Sequence, residues 1–425
     1  FGIACGVAKG STSFNGVEFN NCQILLDSNS QTINTGMLFG SGTIASGSIN
    51  NIKFANCSIN LSEGKVIGTD DSSNKSNIGT IGGVINYTGT EFSQMNVVIA
   101  AVGTSAETGA NYIQPFASTI NCGSGSVLKN VYLGGVFGSS NRVNVRGSKD
   151  QKNNTFSSAD ITFDIDSIVS SDVGGLVGNI RQGGVGEISV IPNIQINKSL
   201  NSNVGGVCGV ANYTTFDSIN VGSYKQLADG DEVLGIQRTG LLDCNNIVQN
   251  DEIGNISANF GGVVGKFDNT ASEVSTISAI RTYLDIDLGI NAQESAGAKS
   301  VTLYVGSIVG NANNIVLEDN GSYGDITTRN YYVESKLYVG GLIGKANNTK
   351  LVKVTKEVQN INGRLESVDL YNYSTGNLKN IVCYMGSSGL STLAMSGLVA
   401  QASGEIILDG CVAAGNTYPT YKEVK

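Results

Sequence analysis

Through much of the chain apolar and polar residues alternate in short runs, as in Phe92–Ile99 (FSQMNVVI), Phe216–Val221 (FDSINV), Thr276–Ile286 (TISAIRTYLDI) and Leu378–Tyr384 (LKNIVCY). A period of two puts successive side chains on opposite faces of an extended backbone, so each run predicts a half-buried β-strand. No long stretch carries apolar residues at helical spacing between capping residues. A second pattern interrupts the alternation: glycine, a small residue, two apolar residues, glycine. Clear copies are Gly134–Gly138 (GGVFG), Gly174–Gly178 (GGLVG), Gly205–Gly209 (GGVCG), Gly261–Gly265 (GGVVG) and Gly340–Gly344 (GGLIG). Looser copies are Gly2–Gly6 (GIACG), Gly36–Gly40 (GMLFG), Gly82–Asn86 (GGVIN), Gly306–Gly310 (GSIVG) and Ser396–Ala400 (SGLVA). Their closing positions fall on average about 44 residues apart.

Repetition at this interval predicts a solenoid, in which each coil buries its apolar face only by stacking on its neighbours. Glycine inside a strand weakens it unless the backbone must bend or approach another closely. Two glycines around two aliphatics satisfy that requirement, and stacking then lays aliphatic on aliphatic about 4.8 Å apart. Ser13–Cys22 (SFNGVEFNNC) and Ser48–Cys57 (SINNIKFANC) match at an offset of 35, as adjacent coils would. Asn-rich corners such as Lys345–Thr349 (KANNT) follow the glycine motif, and asparagine tolerates the left-handed conformation of tight corners. The hairpin dipeptides of a β-sandwich are sparse. The expectation is an all-β parallel β-helix: one β-solenoid domain over 1–425, with outward insertions near 104–126, 146–159 and 225–255.

Composition sharpens this reading. Only 14% of residues are charged, and 47 Asn, 46 Ser, 28 Thr and 56 Gly take the place of charge, with three Pro and no Trp. The apolar share of 40% is too high for a disordered polar chain. A net charge of −9 with no basic stripe argues against nucleic acid as a partner. No apolar run reaches the roughly 18–20 residues of a membrane helix, so no membrane span is expected. The start at Phe1 without Met predicts a processed chain or a fragment.

Chemistry-bearing constellations are few. Parallel β-helices include polysaccharide lyases and hydrolases, but the chain has no His, which removes Ser-His-Asp and Cys-His systems and His-ligated zinc. Acidic groupings occur at Asp70–Asp71, Asp164/Asp166, Asp285/Asp287 and Asp229–Glu232 (DGDE). Spacing i, i+2 puts two carboxylates on one strand face, where they serve acid–base work or hold a cation; a solvated outer face is the plainer reading. No CxxC pair is present among the eight cysteines, and no cofactor or metal site is expected. Cys5 and Cys208 hold the same motif position and read as core residues. Cys22 and Cys57 are equivalent in the second pattern; stacked on adjacent coils they would lie within disulfide reach. Asn-x-Ser/Thr sequons at Asn56, Asn60, Asn74, Asn86, Asn153, Asn197, Asn212, Asn255, Asn320, Asn347 and Asn372 are candidate N-glycosylation sites, a number little above what this composition gives by chance. Tyr331–Tyr332 with Tyr338, or Tyr371 with Tyr373, would offer a platform for sugar rings.

The GGLVG, GGLIG and GGVVG repeats, each followed by a polar corner and a strand, resemble the GLUG-motif repeat family of large secreted and cell-surface proteins. The resemblance runs from Gly2 to about Ala400 and transfers no catalytic residue. It implies a β-solenoid at the cell exterior: a non-enzymatic stalk, filament subunit or adhesin-like scaffold, its partners further copies, neighbouring surface proteins or glycans. The alternatives are a carbohydrate-binding module on a β-helix and, behind it, a polysaccharide-degrading β-helix enzyme.

Overall fold

The computed structural model describes residues 1–90, 93–99, 102–104, 111–113, 116–150, 155–226, 236–247, 256–270, 272, 274–290, 301–330, 335–359, 364–382 and 392–422. Among them the chain is all-β, with fifty strands and no helix. Two parallel sheets dominate, of nine and thirty-three strands, and sequential coils supply the neighbouring strands. This is a parallel β-solenoid.

The nine-stranded sheet consists of the strands that lead into the glycine motifs: Asn34–Thr35, Ser76–Gly79, Val131–Gly134, Asp172–Gly174, Asn203–Gly205, Ile256–Gly261, Val301–Gly306, Ser335–Gly340 and Thr392–Ser396. Their register aligns the motifs. Gly79, Gly134, Gly174, Gly205, Gly261, Gly306, Gly340 and Ser396 are stacked partners, one per coil. Beyond the corner a second column runs Cys5, Phe39, Gly82, Phe137, Val177, Cys208, Val264, Val309, Ile343 and Val399. One motif alignment is corrected by this register. Gly82 stands opposite Phe137, not opposite an opening glycine, so the copy in that coil is Gly79–Gly83 (GTIGG) rather than Gly82–Asn86. Gly82 lacks a side chain because the Phe39 ring already fills its place, and Phe39 stacks with Phe137 at a centroid distance of 6.2 Å. A large–small–large sequence across three coils keeps the core volume constant.

The motif glycines serve close approach, not unusual backbone angles: none has a positive φ. A Cβ on the closing glycine would press on the backbone nitrogen of the preceding coil, at 2.5 Å for Gly138 on Ile78, Gly178 on Leu133 and Gly344 on Val305. Left-handed corners fall to other residues. Among the described residues, seven of the sixteen non-glycine residues with positive φ are asparagine, including Asn130, Asn201, Asn314 and Asn348. Next to the corner at Asn130, Ser170 and Asn201 lie the buried hydroxyls of Ser171 and Ser202. The Ser171 hydroxyl accepts the Val131 N–H and donates to Val169 O, satisfying backbone groups where the strand ladder breaks.

Inward residues of every coil merge into one hydrophobic cluster that runs from Ala8 to Leu378. The two matching segments near the start stack at their offset of 35, pairing Phe19 with Phe54, whose rings lie 5.1 Å apart and nearly parallel. Among the described residues four antiparallel pairings interrupt the parallel stack: Val102–Thr104 with Asn111–Ile113, Lys149–Asp150 with the start of Thr155–Val169, Ser223–Gln226 with Ile236–Thr239, and Val354–Gln359 with Leu365–Leu370. The last of these lies outside the segments expected as insertions.

Candidate ligand-binding groove

On the outer face of the nine-stranded sheet, the residue two places before each motif forms one continuous column. It reads Asn34, Asn77, Tyr132, Asp172, Asn203, Asn259, Tyr304, Tyr338, Ala394. Strand spacing sets these about 4.8 Å apart, so side-chain amides reach their like on the next coil. The Asn203 amide donates to the Asp172 carboxylate at 2.6 Å, and Asn259 donates to Asn203 Oδ1 at 2.6 Å. Asn77 donates to Asn34 Oδ1 at 2.8 Å. Tyr304 and Tyr338 continue the column as stacked rings, 5.2 Å between centroids.

Asp172 is 4% exposed, an unusual place for a carboxylate. Its partner arrives from two coils away: Lys75 crosses the Tyr132 ring, 4.6 Å from its centroid, and places Nζ 2.9 Å from Asp172 Oδ2. Burial pushes the Asp172 carboxyl above its ordinary value, and the Lys75 ammonium and Asn203 amide oppose that rise. The Tyr132 hydroxyl is pushed up to about 12 by burial and by the Asp172 charge. Past the glycine corner a second outward column faces this one, with Asn179, Val210, Lys266, Asn311 and Lys345 in register. A depression of about 360 Å³ runs from the upstream corner at Asn130, Ser170 and Asn201 across Asp172, Asn203 and Asn259 of the first column to Lys266 and Asn311 of the second, with Lys75 on its lining. It sits where three-residue strands (Asp172–Gly174, Asn203–Gly205) give way to six-residue ones (Ile256–Gly261, Val301–Gly306). Two of the lining residues, Asn130 and Asn259, turn their side-chain carbonyl oxygens inward, where each is enclosed without a hydrogen-bond partner.

None of these residues stood out in the sequence except Tyr338. The acidic groupings that did are held within the structure. Asp71 closes a turn on Ser73 and Asn74, which holds its carboxyl below the ordinary range, and Asp70 pairs with Lys129. Asp166 accepts from the Gly125 N–H and the Asn197 amide, both at 2.9 Å. Asp285 accepts the Asp325 N–H at 2.8 Å, and Asp287 is gripped by both Arg329 nitrogens. Asp287 also stands in register with Asp243, whose carboxyl is raised first by burial and then by that neighbouring charge. Asp229–Glu232, Tyr331–Tyr332, Asn153, Asn255 and Cys383 lie outside the described residues. Among the described residues no group of His, Cys, Asp and Glu has the geometry of a metal site.

Two sequons are withdrawn as glycan acceptors in the folded chain. Asn320 and Asn372 are fully buried. Asn320 donates to Asn372 Oδ1 at 3.0 Å and to Ile277 O at 2.9 Å, and Asn372 donates to Leu317 O and Val352 O at 2.9 Å. They are rungs of an internal amide ladder, and a sugar would need both the amide and the space. Asn56, Asn74 and Asn197 are exposed, and Asn60, Asn86, Asn212 and Asn347 half-buried. Cys22 and Cys57 stack on adjacent coils, where the Ser58 N–H donates to Cys22 O at 3.0 Å, and both are free thiols. Cys208 is buried between Val177 and Val264; Cys5, at the equivalent position of the first coil, is only partly covered. Tyr373 leans over Gly321 with the Arg281 guanidinium 5.7 Å from its ring centre, and Tyr371 is exposed. Comparison with protein-family models, with curated proteins and with solved structures finds no match.

Proposed function

We propose that the chain is a non-enzymatic structural scaffold of the cell exterior, a filament, stalk or adhesin-like subunit of the kind its GLUG-like repeats imply. The observation that carries the reading is the unbroken register of the motif column from Cys5 to Val399. Backbone hydrogen bonds run along the axis through every coil, and one core follows them, so load applied at one end is shared along the stack. Such an architecture presents outward columns rich in amides and hydroxyls, such as Thr43, Asn86 and Asn141, for contact. At the two end coils apolar side chains stay open: Phe1 (70%) and Val7 (59%) at one, Leu408 (51%) and Val412 (48%) at the other. Strand edges there would pair with a further coil, from this chain's own continuation or from another copy. An exterior location is supported by the exposed sequons Asn56, Asn74 and Asn197 and by the stacked Cys22 and Cys57, which an oxidising compartment would join.

Material purified from the native source tests the proposal. Electron microscopy is expected to show the chain in elongated surface assemblies, and peptide mapping to show sugar on exposed sequons. A uniformly monomeric, unglycosylated intracellular protein would overturn it.

A further inference from the structure

We propose that Lys75 and Asp172 condense into an intramolecular amide, a covalent staple across three coils of the solenoid. The chemistry rests on the geometry of this pair and holds whether or not the chain serves as a surface scaffold. Burial sets the pair apart. Among the described residues it is the one lysine–carboxylate pair with both side chains enclosed, 19% exposed at Lys75 and 6% at Asp172. In every other such pair the lysine is at least 30% exposed. Two charges taken out of water lose their hydration, whereas an amide is neutral, so condensation removes that cost. Burial also pushes the Asp172 carboxyl above its ordinary value, toward the uncharged acid that an amine attacks.

The two carboxyl oxygens have separate partners. Lys75 Nζ lies 2.9 Å from Oδ2, and the Asn203 amide donates to Oδ1 at 2.6 Å. Lys75 is steered there across the Tyr132 ring, and its other acceptor, Ser170 O, is farther away at 3.4 Å. Groups held in such an arrangement react as if at about 10⁵–10⁸ M. One proton passes from Nζ to Oδ2, leaving an amine and a carboxylic acid. The amine lone pair attacks Cγ, and the charge that develops on Oδ1 is met by the Asn203 N–H. A second proton follows from Nζ to Oδ2, the Cγ–Oδ2 bond breaks, and water departs into the depression that both residues line. The Nζ–Cγ amide remains, and no oxidant or other co-reactant is consumed. Until that step the two groups are an ion pair with a titrating carboxyl. Lys75 precedes the strand Ser76–Gly79 and Asp172 opens Asp172–Gly174, with Val131–Gly134 between them, so the bond clamps three coils against separation along the axis.

Intact-mass spectrometry of the full chain tests the proposal, after expression in a bacterial host, a day's incubation in the folded state, reduction and denaturation. The expected mass is that of the sequence less one water. Trypsin is expected to spare the bond after Lys75 and to yield a branched peptide that joins Lys75 to Asp172. Lys75→Arg keeps a cation beside Asp172 but has no nucleophilic amine, so its mass should be that of its full sequence; an unchanged circular dichroism spectrum verifies its fold. The full sequence mass in the wild-type chain, tryptic cleavage after Lys75, or a loss of water that persists in Lys75→Arg would each overturn the proposal, and the wild-type peptide map decides the matter without the variant.

Discussion

Replacing Gly178 with alanine probes the glycine corner directly, and Gly6 supplies the control. Both close a motif, but Gly178 is pressed against the preceding coil, whereas nothing lies within 4 Å of a Cβ built on Gly6. The added carbon at 178 would sit 2.5 Å from Leu133 N, 2.7 Å from Gly138 O and 2.8 Å from Tyr132 C, all backbone atoms. Ordinary contact begins near 3.4 Å, so the coils must part by up to about 0.9 Å. The bonds that tie the coils at this corner include Val136 N–H to Leu176 O at 2.8 Å and Gly135 N–H to Gly175 O at 3.0 Å. Stretched by that amount, both leave hydrogen-bonding range. Two buried N–H groups without acceptors cost roughly 1–3 kcal/mol each, so Gly178→Ala is expected to destabilise by about 4 kcal/mol. Gly6→Ala meets no clash, and any effect stays within about 1 kcal/mol, toward stabilisation through the unfolded chain. Since a coil interacts only with its neighbours, the damage should be local. Native-state amide exchange will show lost protection in the coils around Leu133 and Val173, and calorimetry a lower transition. Equal effects of the two substitutions would refute the close-approach explanation.

Three further outcomes follow from single contacts. Gly82→Ala forces a carbon to within 2.8 Å of Phe39 Cζ and should cost a few kcal/mol, while Phe39→Val in the same chain recovers much of it; additive losses in thermal melts would contradict the packing. Asn372→Ala strips two donors and an acceptor from the internal ladder and should destabilise by about 3 kcal/mol, against little change for exposed Asn74→Ala in the same denaturation assay; equal effects would count against the ladder. The Asp172 carboxyl, raised by burial, keeps its proton to a higher pH in the folded state than in the unfolded, so its contribution to stability is largest below the usual value of 3.8 and declines as pH rises through the folded value. Lys75→Met removes the opposing ammonium and should steepen that decline, and adding Asp172→Asn should abolish it, as read from melting temperature against pH.

The repeat signal was legible because stacking demands the same solution in every coil: glycine where backbones touch, aliphatics where the core is. It misled at one point. GGVIN at Gly82–Asn86 fits the pattern by composition, yet the coil is aligned on Gly79, because a phenylalanine from the neighbouring coil occupies what the pattern assigns to an aliphatic. Burial of the sequon residues Asn320 and Asn372 was hidden, since an asparagine in an outward corner and one in an inward ladder look alike along the chain. The groove was missed for a different reason. Lys75, Asp172, Asn203, Asn259 and Lys266 are scattered over several coils and meet only when those coils stack. Aligning the chain on its glycine motifs and reading two places upstream yields Tyr132, Asp172, Asn203, Asn259, Tyr304 and Tyr338, so the signal was present but perpendicular to the sequence.

Stacking in register makes separation in space proportional to the number of coils, whatever the number of intervening residues. Thr43, Asn86, Asn141 and Arg181 are successive partners in one corner column, exposed at Thr43 and Arg181, and Asn313, Asn347 and exposed Ser403 continue it. Spin labels at Thr43 and Ser403, eight coils apart, should report a single narrow electron–electron distance near 38 Å, allowing for the label arms. Labels at Thr43 and Arg181, three coils apart, should report about 14 Å. A broad distribution, or distances that follow residue separation instead of coil count, would contradict the solenoid.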